Sequence, residues 1–368
     1  MKKMVRKVVG YFLLVLVSLL ILFVLGTFVC HKIKSKQELE FLKEHGYYNP
    51  VSVGEYCLNV AVFGKEDGAH TIVGLAGLGM GEYAVAARQM TACLEEENRV
   101  VFVDRAGYGF SDDTNHSMTL SYIVEDYRKA LQNAGIEGPY ILMPHSIGGA
   151  YANYWVSHYP EEIEAIVFVD GSQLSADAFE EEEVIEKVSV GDRVLAVLAK
   201  LGLSRYVLHD YLYRYPDNYS EEEQYLGDAL YLLTMDSIAP ISEVNLMARN
   251  AQEAFNGIVT NDVPKVYICA SWGFSTVNEF NEYNQWMNRQ IEINSLDFPL
   301  RRVDYTEEDT ALLQSLKDVE KARQETIYPY AEKMGNCQVI CLAGDHMIYE
   351  QKPVECGQLI KEFIDTLD

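Results

Sequence analysis

An α/β fold is predicted, with a mostly parallel central sheet flanked by helices, a helical cap insertion and one N-terminal transmembrane helix. Three observations predict it. Six short apolar runs, at 71–75, 99–103, 140–143, 165–169, 265–269 and 338–342, are separated in the first half of the chain by stretches of helical spacing. Continuous apolar strands alternating with helices belong to a parallel sheet covered on both faces. The fourth and fifth runs are separated by the long interval 171–262, whose apolar residues recur at helical spacing, which marks an insertion over the sheet edge. Finally, residues 8–30 carry no charge and are mostly Leu, Val, Ile and Phe. As a helix those 23 positions reach about 34 Å, enough to span a bilayer.

Taken in order, residues 1–36 form a basic tail and anchor, with Lys2, Lys3, Arg6 and Lys7 before the apolar run and His31, Lys32, Lys34 and Lys36 after it. A cleaved signal peptide competes with this reading. The run is longer than an ordinary signal core, and 26–30 (Gly-Thr-Phe-Val-Cys) offers no small-x-small cleavage site, so an uncleaved single-pass anchor in the cell membrane is favoured. Basic residues flank both ends, so the charge rule orients the chain weakly; the short basic tail suggests an extracytoplasmic domain. Residues 37–170 then make the first part of the core, opening with a hairpin at about 51–63 and continuing with helices at 83–97, 119–134 and 149–159. The cap, 171–262, holds an acidic run of four Glu at 180–183, read as a solvated helix face, and helices at 194–202, 221–235 and 242–255. Residues 263–368 complete the core, with a second insertion at about 275–333 and a terminal helix at 353–367.

Composition narrows the function. Thirty Lys and Arg stand against 55 Asp and Glu, a net charge of −25. Seven of the thirty lie in residues 1–36, which contain no acid, so the rest carries 23 basic against 55 acidic residues, a net of −32. Such a body repels nucleic acid, which is excluded as a partner. Seven cysteines, at 30, 57, 93, 269, 337, 341 and 356, show neither zinc-site nor redox spacing, and no metal or organic cofactor is indicated.

The chemistry concentrates at Pro144-His145-Ser146-Ile147-Gly148-Gly149. A buried strand precedes this hexapeptide and a helix follows it, so Ser146 sits on a strand-to-helix elbow that exposes a hydroxyl at the carboxyl edge of the sheet. Ser and Gly also form plain tight turns, so the rest of the chain must decide. A serine nucleophile needs a base, a group to orient that base, and donors for the oxyanion. His346, in Ala343-Gly344-Asp345-His346 directly after the last strand, reaches the same edge and comes late in the chain, as a base for Ser146 would.

The chain resembles the α/β-hydrolase fold superfamily, in its cap-containing serine-hydrolase form, from about residue 51 to the C-terminus apart from the insertions. The elbow resembles G-x-S-x-G with Pro144 at the first glycine. Asp104-Arg105-Ala106-Gly107-Tyr108-Gly109-Phe110-Ser111 resembles the D-x-x-G-x-G-x-S turn, and Gly74-Leu75-Ala76-Gly77-Leu78-Gly79 the H-G-x-G oxyanion loop with Ala76 for histidine. The resemblance implies an oxyanion hole from the backbone N–H groups of Ile147 and Leu78. It also implies structural roles for His145 at the elbow and Asp104 in its turn. The usual acid after the late strand is missing from Cys269-Ala270-Ser271-Trp272-Gly273-Phe274, so Asp170, at the end of the strand after the nucleophile helix, is the expected acid, with Glu279 and Glu282 as alternatives.

These expectations combine into a Ser146–His346–Asp170 triad that cleaves an ester-type bond of a small, apolar acyl substrate through an acyl-enzyme, with residues 8–30 in the lipid bilayer. A serine nucleophile argues against the aspartate-dependent dehalogenases and epoxide hydrolases of the fold. Aminopeptidase or other amide hydrolysis is the alternative within the same chemistry, and a non-catalytic binding protein of the same fold the alternative outside it. The Tyr-rich cap segment 206–219, with Leu208 and Leu212, suits an apolar acyl group or the cap's own core.

Overall fold

The computed structural model describes residues 2–172, 175, 187–207, 216 and 218–367. The chain begins with helix α1 (Lys2–Glu44), which continues beyond the apolar run 8–30 and beyond residue 36. From Thr27 onward one stripe of α1, including His31, Glu38 and Leu42, is buried against the rest of the chain, while residues 4–23 are exposed. The stripe recurs every three to four residues, as one face of a helix must.

Strands β1 (Pro50–Ser52) and β2 (Cys57–Gly64) form the predicted hairpin. They are followed by β3 (Thr71–Leu75), the short helices α2 (Tyr83–Ala86) and α3 (Arg88–Thr91), β4 (Arg99–Val103), α4 (Leu120–Asn133), β5 (Tyr140–Ser146), α5 (Gly148–His158) and β6 (Ile163–Gly171). The helix expected at 83–97 is broken. Its last part, with Glu95, Glu96 and Glu97, runs as turns, because three adjacent carboxylates oppose the negative end of a helix dipole and Glu95 instead reaches back to Arg88 at 2.5 Å. Thr119, by contrast, caps α4 by accepting from the Tyr122 N–H.

Between β6 and β7 (Lys265–Cys269) lie α6 (Val190–Lys200), α7 (Ser204–Val207), α8 (Glu221–Thr234) and α9 (Ala239–Asn256). The four Glu at 180–183, and Leu208 and Leu212, lie outside the described residues. Helices α10 (Val277–Ile293), α11 (Thr310–Ala322) and α12 (Tyr328–Met334) precede β8 (Cys337–Cys341), and α13 (Ile348–Gln351) and α14 (Pro353–Ile364) close the chain.

The eight strands stand in the order β1-β2-β4-β3-β5-β6-β7-β8, with β3 to β8 mutually parallel and β2 antiparallel to β4. Alternate residues enter two cores, one on each face, with Val73, Leu142 and Phe168 on one side and Ile72, Ile141 and Val167 on the other. The connection from β3 runs outward to β4, and the next returns to the other side at β5. The strand order therefore reverses between β3 and β5, and a crevice at the carboxyl ends of these two strands is where such sheets bind ligands. Ser146 ends β5, and the Ala76–Gly79 loop follows β3.

Candidate active site

Ser146 ends its strand at φ +51°, in the left-handed region that a non-glycine residue rarely enters. The turn is tight because α5 starts two residues later, and a Cβ on Gly148 would lie 2.5 Å from the Leu75 carbonyl oxygen. Only glycine allows the helix to approach β3 this closely. Pro144 pairs in register with Leu75 in the interior of the sheet. The Ile147 amide lies at the amino end of α5, where the first N–H groups have no partner within the helix and the dipole is positive.

The loop after β3 lies against this elbow, since a Cβ on Gly77 would fall 3.2 Å from Ser146 Cβ. Its peptides are held from behind by Arg105, which donates to the carbonyls of Ala76 at 2.7 Å and Gly77 at 2.6 Å. A trans peptide directs its C=O and N–H oppositely, so fixing the Gly77 carbonyl turns the Leu78 N–H away from Arg105. Arg105 is itself held at 3.0 Å by Glu243 of α9, whose other oxygen accepts from Tyr151 of α5, and both charges are buried. Asp104 accepts from Asn59 at 2.9 Å, and its backbone carbonyl accepts from Ser111 at 2.8 Å, which closes the turn. Burial pushes the Asp104 carboxyl up to about 7, against the opposing pull of Asn59 and Arg105.

Asp170 ends β6, also in the left-handed region at φ +43°. One of its oxygens accepts from the amides of Ala270 at 2.8 Å and Ser271 at 3.1 Å; the other accepts from the Ser271 hydroxyl at 2.6 Å and from His346 Nδ1 at 2.7 Å. Burial raises this carboxyl, yet the bonds from His346, Ser271 and Ala270 outweigh it and hold Asp170 below its ordinary range. A carboxylate facing Nδ1 assigns the proton to that nitrogen and leaves the Nε2 lone pair free. The imidazole is 46% exposed, so that lone pair belongs to the open side of the site.

His145 joins the elbow to the histidine loop. Its Nε2–H donates to the His346 carbonyl at 3.0 Å, and the two rings lie 4.6 Å apart. Burial, reinforced by the neighbouring His346, pushes His145 down to about 3, so it is neutral. The Ser146 hydroxyl makes no hydrogen bond among the described residues. Ser146, Asp170 and His346 thus lie at the carboxyl ends of β5, β6 and β8, with Asp170 bonded to His346 and Ser146 linked to it through His145. Glu279 is occupied elsewhere, accepting from the Ser275 and Thr276 amides at the start of α10, and Glu282 accepts from Asn278.

Residues 72–206 match a family model described as alpha/beta hydrolase fold. The enol-lactonase from Burkholderia xenovorans LB400 superposes with a TM-score of 0.51 at 15% identity, over 86% of this chain and 100% of its own. The chain has the α/β-hydrolase fold. A membrane phospholipase A, described as a bacterial virulence factor, superposes on this chain with a TM-score of 0.51 at 16% identity over 98% of both chains. At these identities the likeness is one of fold. The uncharacterized protein YbdG of Bacillus subtilis (strain 168) is 32% identical over 209 residues, 56% of this chain. The aligned segment spans 61% of YbdG, less than two thirds of that relative.

Three residues of the site were not singled out from sequence. Ser271 stands in the Cys269–Phe274 stretch, which attracts notice only for lacking an acid. Arg105 was noted within its turn motif but given no role, and Glu243 is the one charge in the first two turns of α9. Both of these charges occur among residues that pack inward, and a charge there implies a buried partner.

Proposed function

We propose that this protein is a membrane-anchored serine hydrolase that cleaves an ester-type bond. Ser146 is the nucleophile, His346 the general base and Asp170 the group that orients it, while the Ile147 and Leu78 N–H groups bind the oxyanion. The observation that carries the reading is the 2.7 Å bond from His346 Nδ1 to a carboxylate itself anchored by Ser271 and two amides. That bond fixes the tautomer a base needs. His346 Nε2 takes the Ser146 proton as the hydroxyl attacks the acyl carbon, and the tetrahedral oxyanion forms against the two amides. The leaving alcohol departs with that proton. Water, deprotonated by the same nitrogen, then releases the acid and restores Ser146.

In this reading residues 8–30 are the anchor and 171–262 the cap, and the domain lies outside the cytoplasm. The test is labelling with a fluorophosphonate probe followed by an ester chain-length panel. A Ser146-dependent adduct with ester turnover is expected; folded protein that gives no adduct overturns the reading.

A further inference from the structure

Helix α6 faces the wrong way for water. At about 100° per residue, Val190, Val194, Leu195, Val197 and Leu198 occupy one half of its circumference, and all five are exposed. The opposite half faces the protein and is small or polar. Ala196 and Ala199 are buried there, Arg193 donates to Asn115 at 3.1 Å, and Lys200 pairs with Asp113 at 3.5 Å. A surface helix of a soluble domain turns its apolar side to the core, so this inversion calls for an apolar environment outside the chain.

The position of α6 identifies that environment. Its C-terminal end is bolted to α1: the Thr27 hydroxyl donates to the Leu201 carbonyl at 2.9 Å, and a Cβ on Gly202 would lie 2.6 Å from the Thr27 carbonyl oxygen. Just beyond, Arg205 of α7 pairs with Glu38 at 2.6 Å and donates to His31 Nδ1 at 2.9 Å. Thr27 lies within the apolar run 8–30, about one helical turn from its end. The C-terminal end of α6 is therefore held against α1 at the depth where, in the anchor reading, hydrocarbon gives way to headgroups. Exposed Lys32 and Lys34 on α1 stand at that level and suit anionic headgroups.

We infer that α6 is a second membrane contact, an interfacial helix lying in the bilayer surface beside the anchor. The loop after β4, which α6 grips through Asp113 and Asn115, leaves the same sheet edge as Ser146, so docking turns the mouth of the site toward the bilayer. The substrate class is then a membrane-partitioned acyl lipid supplied from the bilayer. This inference rests on the reading of α1 as a bilayer anchor.

The test uses the full chain reconstituted in phosphatidylcholine–phosphatidylglycerol vesicles, with and without bromine on the acyl chains, and single tryptophan substitutions compared with the unsubstituted protein. Val194→Trp is the probe, Val197→Trp an independent second, Val15→Trp reports the anchor, and exposed Val259→Trp, bonded to Ser157 near the end of α5 and ahead of β7, reports the amino-end edge of the sheet, opposite the edge that carries Ser146. Bromine is expected to remove about half or more of the added emission at 194, 197 and 15, since an interfacial helix sits ~5–10 Å into the boundary, and to spare 259. Quenching at 15 alone overturns the docking of α6 and leaves the anchor standing, as does burial of α6 against a second copy. An unquenched 15 overturns the anchor and the inference together.

Discussion

Glu243 and Arg105 stand 138 residues apart in the chain and 3.0 Å apart in the fold, and neither is exposed by more than 2%. The pair ties helix α9 of the insertion to the loop after β3. Arg105 uses its other nitrogens on the Ala76 and Gly77 carbonyls, where the usual histidine of this loop is replaced by Ala76. In the proposed enzyme it is a positioning residue for the Leu78 amide.

Arg105→Lys is expected to lower kcat roughly 10- to 100-fold with little change in KM, less than the ~10²–10³ for losing an oxyanion donor outright. Lysine keeps the charge but cannot hold two carbonyls and a carboxylate in one plane. Glu243→Gln strands a buried guanidinium and should destabilise the fold by about 3–5 kcal/mol. Steady-state kinetics and urea unfolding measure the two effects; an R105K enzyme within twofold of wild type would remove the positioning role.

Asp170→Asn should depress kcat by about 10⁴, because an amide no longer fixes the His346 tautomer. Ser271→Ala removes one of several bonds to the same carboxylate and should cost about tenfold or less, of the order of a single hydrogen bond to a charged group. Comparable losses from both variants, in ester turnover on folded protein, would contradict the division of roles.

Buried titratable groups make stability depend on pH in opposite directions. His145 has a folded pKa of about 3 against an ordinary 6.5, so below 6.5 the unfolded chain binds a proton that the folded chain refuses. Its contribution is complete above pH 6.5 and is lost as pH falls toward 3. Burial pushes the Glu82 carboxyl up to about 8 from 4.5, so its contribution is complete below 4.5 and is lost as pH rises through 8. In urea unfolding, the stability of wild type minus that of His145→Asn should rise with pH over the first window, and wild type minus Glu82→Gln should fall over the second. Flat differences would refute the assignments.

Neighbouring glycines at the elbow should respond differently to alanine. At Gly148 the new Cβ meets the Leu75 carbonyl oxygen at 2.5 Å, so the helix must move; the expected cost is about 1–3 kcal/mol, with loss of probe labelling at Ser146. At Gly149 the nearest atom is 3.4 Å away and the residue is helical, so stability should hold or gain up to about 1 kcal/mol. Thermal melts and labelling of the two variants give the comparison.

The strands were legible because burial on both faces of a parallel sheet demands continuous apolar runs, and 71–75, 99–103 and 265–269 form strands with those same limits. Helices α4, α5 and α14 were legible from apolar spacing, whereas 83–97 was not, because its acidic end reads as a good helix former until the dipole and the bond to Arg88 are considered.

By itself the sequence determined the sheet, the elbow at Ser146, the positions of Asp170 and His346 at strand ends on one edge of the sheet, and an apolar N-terminal helix. Each follows from residue type and local spacing. Tertiary structure alone decided that Asp170 rather than Glu279 or Glu282 meets His346, that Arg105 and Glu243 brace the loop after β3, and that the C-terminal end of α6 is held by α1. Those relationships join residues far apart in the chain, through buried charge that must find a partner and apolar surface that must leave water. No local pattern names the partner; the sheet order and the contacts of α1, α6 and α9 with the rest of the chain do.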